Sequence, residues 1–373
     1  MNVLKKYFKS KLSVKQRLVL KSIYNIFMKP GKWEKNINDL KFALSMYKDE
    51  YIHFLPPVMA VSVTDNCNLR CPSCLFLLEN EQRFFHSFIS VEKFRKVLET
   101  YNKDKKAQVI FLGGGEPLMH PEIEKLIDIC REFNLSPKTS TNGILLKDKV
   151  PALKKLEHIN VSLDSYDYAS FKKYRGGTPK QFDAIMEGLK ILKGSGISFS
   201  ISFVLSTENV TETSRMLELG REIKPDLFYF HNINPHGSDH FNSLCIDDLN
   251  TKVFLNNVTN KNDYDFDIFL PVIFDTRSPL FLKSQCMQPW NYFCCNSVGD
   301  LSYCCHLAAD KTIGNVFEGY DFNSPKMVEL RKFIISRKFP PEIMKSCLYC
   351  QRRFMGEEYG WFDSKAHKWF IYK

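Results

Sequence analysis

The sequence predicts an α/β protein in three parts: a partial (β/α)6 TIM-type barrel over residues 56–275, an N-terminal helical segment over 1–55, and a small Cys-rich C-terminal metal-cluster domain over 276–373. Three observations carry that expectation. From residue 58 to about 275, short apolar runs alternate with helix-period segments, the pattern of right-handed βαβ units and a parallel sheet. Cys67, Cys71 and Cys74 follow the first apolar run at C-x3-C-x2-C spacing. Seven of the twelve cysteines fall in the last 88 residues.

Residues 1–55 read as helical and peripheral. Val14, Leu18, Ile23 and Phe27, with Val19, Leu20 and Ile26, alternate with Lys15, Arg17 and Lys21 in a basic amphipathic stretch. Such a helix can lie on an anionic membrane surface, or cover the open end of a barrel with its lysines solvated. Pro30-Gly31 breaks it, and Pro56-Pro57 separates a second helix from the first core strand.

Strands are expected at 58–64, 107–112, 136–140, 158–163, 197–205 and 226–232. Helices are expected at 90–102, 121–134, 149–156, 179–193 and 211–223. In 121–134 the residues Ile123, Leu126, Ile127, Cys130 and Phe133 share one face, so Cys130 reads as core.

Composition narrows the function classes. With 373 residues, 44% of them hydrophobic and 31 of them Phe, the chain can bury a large aromatic interior. No apolar run reaches the ~20 residues that span a bilayer. No secretory segment follows Met1-Asn2-Val3-Leu4-Lys5-Lys6, so the cysteines point to a reducing, cytoplasmic setting where thiols bind metals. Residues 1–33 hold nine Lys or Arg and no acid, against a net charge of +10. The body is therefore near neutral, which argues against a nucleic-acid partner and leaves peripheral contact with the inner membrane face to residues 1–33 alone.

The cysteine triplet sits on one loop after the strand Val58-Met59-Ala60-Val61-Ser62-Val63. Three thiolates so spaced read first as ligands of an iron–sulfur cluster with one iron left open; zinc and plain core packing are the alternatives. Pro72 stiffens the loop. The remaining motifs fall at strand C-terminal ends, where chemistry collects in barrels of this kind. Gly113-Gly114-Gly115-Glu116-Pro117 follows the second strand. Ser140-Thr141-Asn142-Gly143 follows the third, and Ser162-Leu163-Asp164-Ser165 the fourth. Each alone reads as a turn or helix cap; together they line one mouth.

Cys67-x3-Cys71-x2-Cys74 followed by Gly114-Gly115-Glu116-Pro117 resembles the paired signature of the radical S-adenosylmethionine (SAM) superfamily, and residues 58–235 fit its partial barrel. The resemblance implies a [4Fe–4S] cluster on Cys67, Cys71 and Cys74 whose open iron chelates SAM. It implies that Gly114, Gly115 and Glu116 meet the methionyl amine. Asn142, Ser162 and Asp164 lie where the family contacts ribose or the methionyl carboxylate, and Arg175 is placed to pair with that carboxylate. Ser73 departs from the family's frequent aromatic residue before the third cysteine, which removes an adenine-stacking side chain. The implied chemistry is one-electron cleavage of SAM to a 5′-deoxyadenosyl radical that abstracts a substrate hydrogen, fed by a low-potential donor such as flavodoxin or ferredoxin. The cofactor carries the hard step, so no general acid or base need stand out in the sequence.

The tail resembles the SPASM-type auxiliary-cluster domain at Cys286, Trp290, the Gly299-to-Cys304 spacing, Gly314-Asn315 and the pair Cys347-Leu348-Tyr349-Cys350. No cysteine follows Cys350, so the resemblance implies one auxiliary [4Fe–4S] cluster on Cys286, Cys304, Cys347 and Cys350, with Cys305 the rival of Cys304 and zinc the alternative metal. Cys294 and Cys295 stay unassigned, with packing or an approach to substrate open to them. The loop from His231 through His236 and His240 to Cys245 and Asp247-Asp248 is a candidate lining of the substrate pocket or a solvated connection. Residues 1–55 look too short and too helical for a peptide-leader-binding domain, which favours a small-molecule, sugar or lipid-type substrate over a ribosomally made peptide. A non-catalytic iron–sulfur or zinc scaffold is the reading from another class.

Overall fold

The computed structural model describes residues 13–74, 87–234, 242–245, 248–259, 264–273, 286–304, 312–338, 347–350, 359–363 and 368–372. Two helices come first, α1 (Val14–Met28) and α2 (Trp33–Ser45), separated by the Pro30-Gly31 turn. Ser13 opens α1 with a capping box, its hydroxyl accepting from the Gln16 N–H while Gln16 reaches back to the Ser13 N–H.

Six parallel strands follow: β1 (Val58–Thr64), β2 (Val109–Gly114), β3 (Ser136–Thr141), β4 (His158–Ser162), β5 (Phe199–Leu205) and β6 (Leu227–Asn232). The crossovers hold α3 (Val91–Tyr101), α4 (Ile123–Glu132), α5 (Val150–Leu153), α6 (Tyr168–Arg175), α7 (Pro179–Ser195) and α8 (Thr213–Ile223). Each strand expected from the sequence is present, with ends shifted by up to two residues. Helix α6 was not expected. Its signal is short but complete: an Asp167 cap at one end and Gly176 in left-handed conformation at the other, φ 68°, enclosing eight residues.

Strand alternation separates the two faces of the sheet. Val61, Ile110, Leu112, Ile159, Val161, Ile201, Phe203, Phe228 and Phe230 are fully buried toward the helices. The close approach of α8 shows this: a Cβ on Gly220 would lie 2.8 Å from Phe266 and 3.2 Å from Phe228. Cys130 sits in the same layer, as expected of a core residue. The opposite alternation, Ala60, Ser62, Phe111, Lys138, Ser140, Asn160, Ser162, Ser200, Ser202, Tyr229 and His231, faces the inside of the barrel.

The sheet does not stop at the sixth strand. After α9 (Leu249–Thr259), the short β7 (Asp267–Phe269) pairs in parallel with β6. At the other edge, α10 (Gln288–Asn291) leads into β8 (Tyr292–Cys295), which pairs in parallel with β1. β9 (Asp300–Ser302) and β10 (Thr312–Asn315) extend that edge antiparallel. Beyond α11 (Pro325–Ile335), β11 (Tyr359–Asp363) and β12 (Lys368–Tyr372) form a hairpin on β7. Twelve strands thus share one sheet among the described residues. The expected hairpin turn at Gly299 is there, between β8 and β9, with Gly299 at φ 92°.

Candidate active site

The cluster loop is clamped from four sides before any cofactor is considered. Below it, the Gly115 N–H donates to Thr64 O (2.8 Å) and the Glu116 N–H to Asn66 O (2.7 Å). The glycines permit this approach. A Cβ on Gly114 would lie 2.0 Å from Thr64 O, and one on Gly115 2.2 Å from Asn66 O. Their close packing is thus against the backbone of the cysteine loop. From β3, the Asn142 side-chain amide donates to Asn68 Oδ1 (2.7 Å) and reaches Cys67 Sγ (3.9 Å). From α7, Gln181 Nε2 donates to Asn68 O (3.0 Å). From α6, Gly176 closes on Arg70 O, leaving 2.7 Å for a Cβ.

Glu116 is almost fully buried and serves as a knot between strand tips. Its carboxylate accepts from the Asn142 N–H (2.7 Å), Thr141 Oγ1 (2.7 Å) and the Leu118 N–H (3.1 Å). Burial raises its pKa, and those three donors oppose the rise. Asp164 accepts from Arg175 Nη1 (2.9 Å) and from the Val204 N–H (2.8 Å), so the ion pair also stitches β4 to β5.

Arg175 lies at the C-terminal end of α6, with its guanidinium among the thiols. Burial alone would lower its pKa, but Cys71 and Asp164 outweigh burial and drive it up. Its Nε is buried with no hydrogen-bond partner among the described residues. A buried donor left in that state costs free energy unless an acceptor arrives, and the charge beside it favours an anion. The thiols complete the picture. Burial pushes Cys71 up to about 11 and raises Cys67; the charge of Cys74 adds to the rise at both, and that of Cys67 to the rise at Cys71. Among the described residues no three Cys, His, Asp or Glu side chains already stand at metal-holding separation. The donor set, three thiols on one loop beside an arginine with one unpaired N–H, suits a cluster that is assembled with loss of the thiol protons.

Gly114, Gly115, Glu116, Asn142, Asp164 and Arg175, named from the sequence, therefore converge on Cys67, Cys71 and Cys74. Ser162 stands one step aside on the inner face, accepting from Ser202 Oγ at 3.5 Å. Sequence reasoning gave Thr141 only as part of a polar strand end and assigned no role to Asn68 or Gln181. It also missed a buried group in which Asp65 Oδ2 accepts from Ser87 Oγ (3.0 Å) and from Ser297 Oγ, joining the start of the cluster loop to the turn between β8 and β9. The loop signals Asp65 and Asn66 were visible, but their partners lie 22 and 232 residues away.

Inside the barrel, one wall is a hydrogen-bonded ladder. His158 bridges Ser198 Oγ (2.8 Å) and Ser200 Oγ (2.9 Å), Ser200 donates to Asn160 (2.9 Å), and Asn160 donates to Ser202 (3.0 Å). The neighbouring strand β6 stacks Tyr229 between His231 and Phe269, with ring centroids 4.7 and 4.1 Å apart. His231 therefore lines the interior, whereas His236, His240 and Asp247 lie outside the described residues.

In the tail, Cys347–Cys350 makes the same turn as Cys71–Cys74: the second cysteine's N–H donates to the first one's carbonyl, at 3.1 and 3.0 Å. Cys286 and Cys304 are half-buried at the margin of the main core, as is Cys347; Cys305 lies outside the described residues. Cys294 and Cys295 part company. Cys294 pairs with Ala60 and Ser302 and lines, with Ser62, Phe111 and Cys304, a cavity of about 230 Å³ inside the barrel edge. Cys295 also borders that cavity but belongs to the core, where burial pushes its thiol up to about 12.

Residues 61–220 match the radical SAM superfamily. Those 160 of the 373 residues are a radical SAM domain. Similar proteins include the PqqA peptide cyclase of Gluconobacter oxydans, 30% identical over 172 residues, which cover 45% of this chain and 47% of that one. They also include the Fe-coproporphyrin III synthase of Methanosarcina barkeri, 28% identical over 179 residues (47% and 44%). Among solved structures, Streptococcus suis SuiB bound to its precursor peptide SuiA superposes with a TM-score of 0.60 over 81% of this chain and 72% of that one, at 19% identity, a likeness of fold. The chain spans about half the length of the curated relatives it matches.

Proposed function

We propose that this radical SAM protein cleaves SAM reductively and uses the resulting radical on a peptide substrate. The observation that carries the first half is the convergence of Cys67, Cys71 and Cys74 with the Asp164–Arg175 pair and the Glu116 knot at one end of the strands. When bound, a [4Fe–4S] cluster and SAM would supply one-electron reductive chemistry and, through it, hydrogen-atom abstraction from substrate. The chain's own part is to hold and shield. Cys67, Cys71 and Cys74 are the cluster ligands. Arg175, held in place by Asp164, offers its unpaired Nε to an anionic group such as the methionyl carboxylate. Gly114, Gly115 and Glu116 shape the edge at which the methionyl amine would sit, and Asn142 and Ser162 stand toward the ribose. Cys286, Cys304, Cys347 and Cys350 hold one auxiliary [4Fe–4S] cluster, and a flavodoxin or ferredoxin supplies electrons.

The sequence alone favoured a small-molecule, sugar or lipid-type substrate. The likeness to a peptide cyclase and to a structure carrying a precursor peptide supports the peptide reading better. The inner wall of serines and Asn160 beside an aromatic stack suits a chain of alternating amides and side chains. Likeness to Fe-coproporphyrin III synthase keeps a small planar substrate as the second reading.

Anaerobic reconstitution tests the proposal. About eight iron and eight sulfide per chain, as two four-iron clusters require, with 5′-deoxyadenosine formed on reduction, is the expected result. Cys71→Ala should abolish SAM cleavage and leave the tail's metal in place. Zinc in the tail, or spectra unchanged by SAM, would remove the corresponding half. Deuterium transfer from labelled peptides into 5′-deoxyadenosine reads the substrate class directly.

A further inference from the structure

The first helix is turned inside out relative to an ordinary surface helix. Its exposed side chains Leu20, Ile23, Tyr24, Phe27 and Met28 recur every three or four residues on one face, with Phe27 77% and Met28 61% exposed. The face toward the body carries Ser22, which is buried, and the half-buried Leu18 and Ile26. Helices of water-soluble proteins bury the apolar stripe and expose the polar one. Here the larger apolar residues point away. The anomaly is local: of the twelve large apolar side chains exposed among the described residues, eight lie between Leu20 and Tyr51, Trp33 among them. The charge is equally local, with nine Lys or Arg and no acid in residues 1–33. Lys21, Lys29 and Lys32 are exposed on or beside the stripe.

We propose that the outward face of α1 docks this protein on an anionic phospholipid surface, the apolar stripe entering the interface and the flanking lysines meeting headgroup phosphates. An unbroken excess of positive charge around an exposed apolar face selects a negatively charged lipid surface over a neutral one and over an acid-poor protein groove. The geometry also fixes which end is tethered. α2, on which α1 packs, lies beneath the starts of the first three strands: Asn38 brackets Leu55 before β1, Asp39 accepts from Gln108 before β2, and Lys35 donates to Asn134 O before β3. The cysteine loop is at the opposite ends of those strands, so the docked protein keeps its reaction mouth toward water. This inference stands whether or not the proposed substrate is right.

Flotation of the full chain through a sucrose gradient tests it, without reference to catalysis. The protein should rise with vesicles of phosphatidylcholine and phosphatidylglycerol, stay down with phosphatidylcholine alone, and release at high salt. The double change Ile23→Glu and Phe27→Glu should reduce partitioning about ten-fold or more, and Lys21→Glu with Lys29→Glu should abolish the preference for anionic vesicles. These side chains are on the open face of α1, so unchanged thermal unfolding confirms that the variants are folded. Failure to float with anionic vesicles, equal flotation with neutral ones, or undiminished flotation of the Ile23/Phe27 variant would overturn the proposal. So would sedimentation showing a dimer that Phe27→Glu converts to monomer, which assigns the stripe to a second copy.

Discussion

Asp39 shows how a single side chain can set the pH response of the fold. It sits on α2 against the base of the barrel, and burial pushes its pKa from 3.8 up to about 6, with the Gln108 hydrogen bond at 3.2 Å pulling the other way. Its Oδ1 is buried without a partner. A raised carboxyl pKa means the folded state prefers the protonated form, so stability is full below about pH 4 and declines as pH rises through about 6. Asp39→Asn removes the ionisation. Thermal unfolding should show the variant more stable by about 2 kcal/mol near neutral pH, with the gap closing below pH 4. A gap that persists in acid would mean that packing, not ionisation, is responsible. Arg175 illustrates the opposite arrangement, in which a buried charge is kept because a carboxylate and thiols surround it.

At the scale of elements, the cysteine loop behaves as part of the barrel rather than as a free loop laid on top of it. β1 ends in a bulge at Ser62–Thr64, β2 ends in glycines that seat against Thr64 and Asn66, and β3 reaches over with Asn142. The glycines matter here for the space they leave. Gly115→Ala places a methyl group 2.2 Å from Asn66 O, backbone against side chain, and something must shift. The expected loss is about 2 kcal/mol, and a cluster lost more readily to a chelator in the variant than in the native chain. Equal unfolding and equal iron retention would show that the loop can yield at no cost. The same contact explains why a glycine run at a strand tip is informative only once its neighbour is known.

At the scale of the whole molecule, the N-terminal segment and the tail are fastened to one another. Arg331 of α11 is fully buried and gives its donors to carbonyls: Nε to Pro289 O (2.9 Å), Nη1 to Glu50 O (2.9 Å) and Nη2 to Phe322 O. Trp290 Nε1 donates to Asp49 O (2.7 Å), and Asn323 exchanges two bonds with Ile52. Burial lowers the Arg331 pKa to about 10, which leaves it charged under ordinary conditions. Arg331→Ala orphans three carbonyls and should cost about 3 kcal/mol. Hydrogen exchange should then rise together in residues 46–54 and 286–295, which are far apart in sequence. Faster exchange in the tail alone would mean that the clasp does not join the two ends.

Residue types and spacing were enough to reveal the strand–helix alternation, the cysteine triplet, Glu116 and Asp164, because period and spacing are local properties of the chain; Arg175 came only from the family resemblance. The sequence by itself determined the period of the strands and helices and set the cysteine triplet and the polar strand ends at one mouth of the barrel. Only the tertiary structure decided that Gly114 and Gly115 seat the cysteine loop, that Ser297 answers Asp65, that Cys294 faces the interior while Cys295 packs in the core, and that α1 turns its apolar side outward. Those facts depend on which surfaces meet. The chain's periodicity can say that a helix has an apolar stripe, but only the neighbours it packs against say whether that stripe is covered.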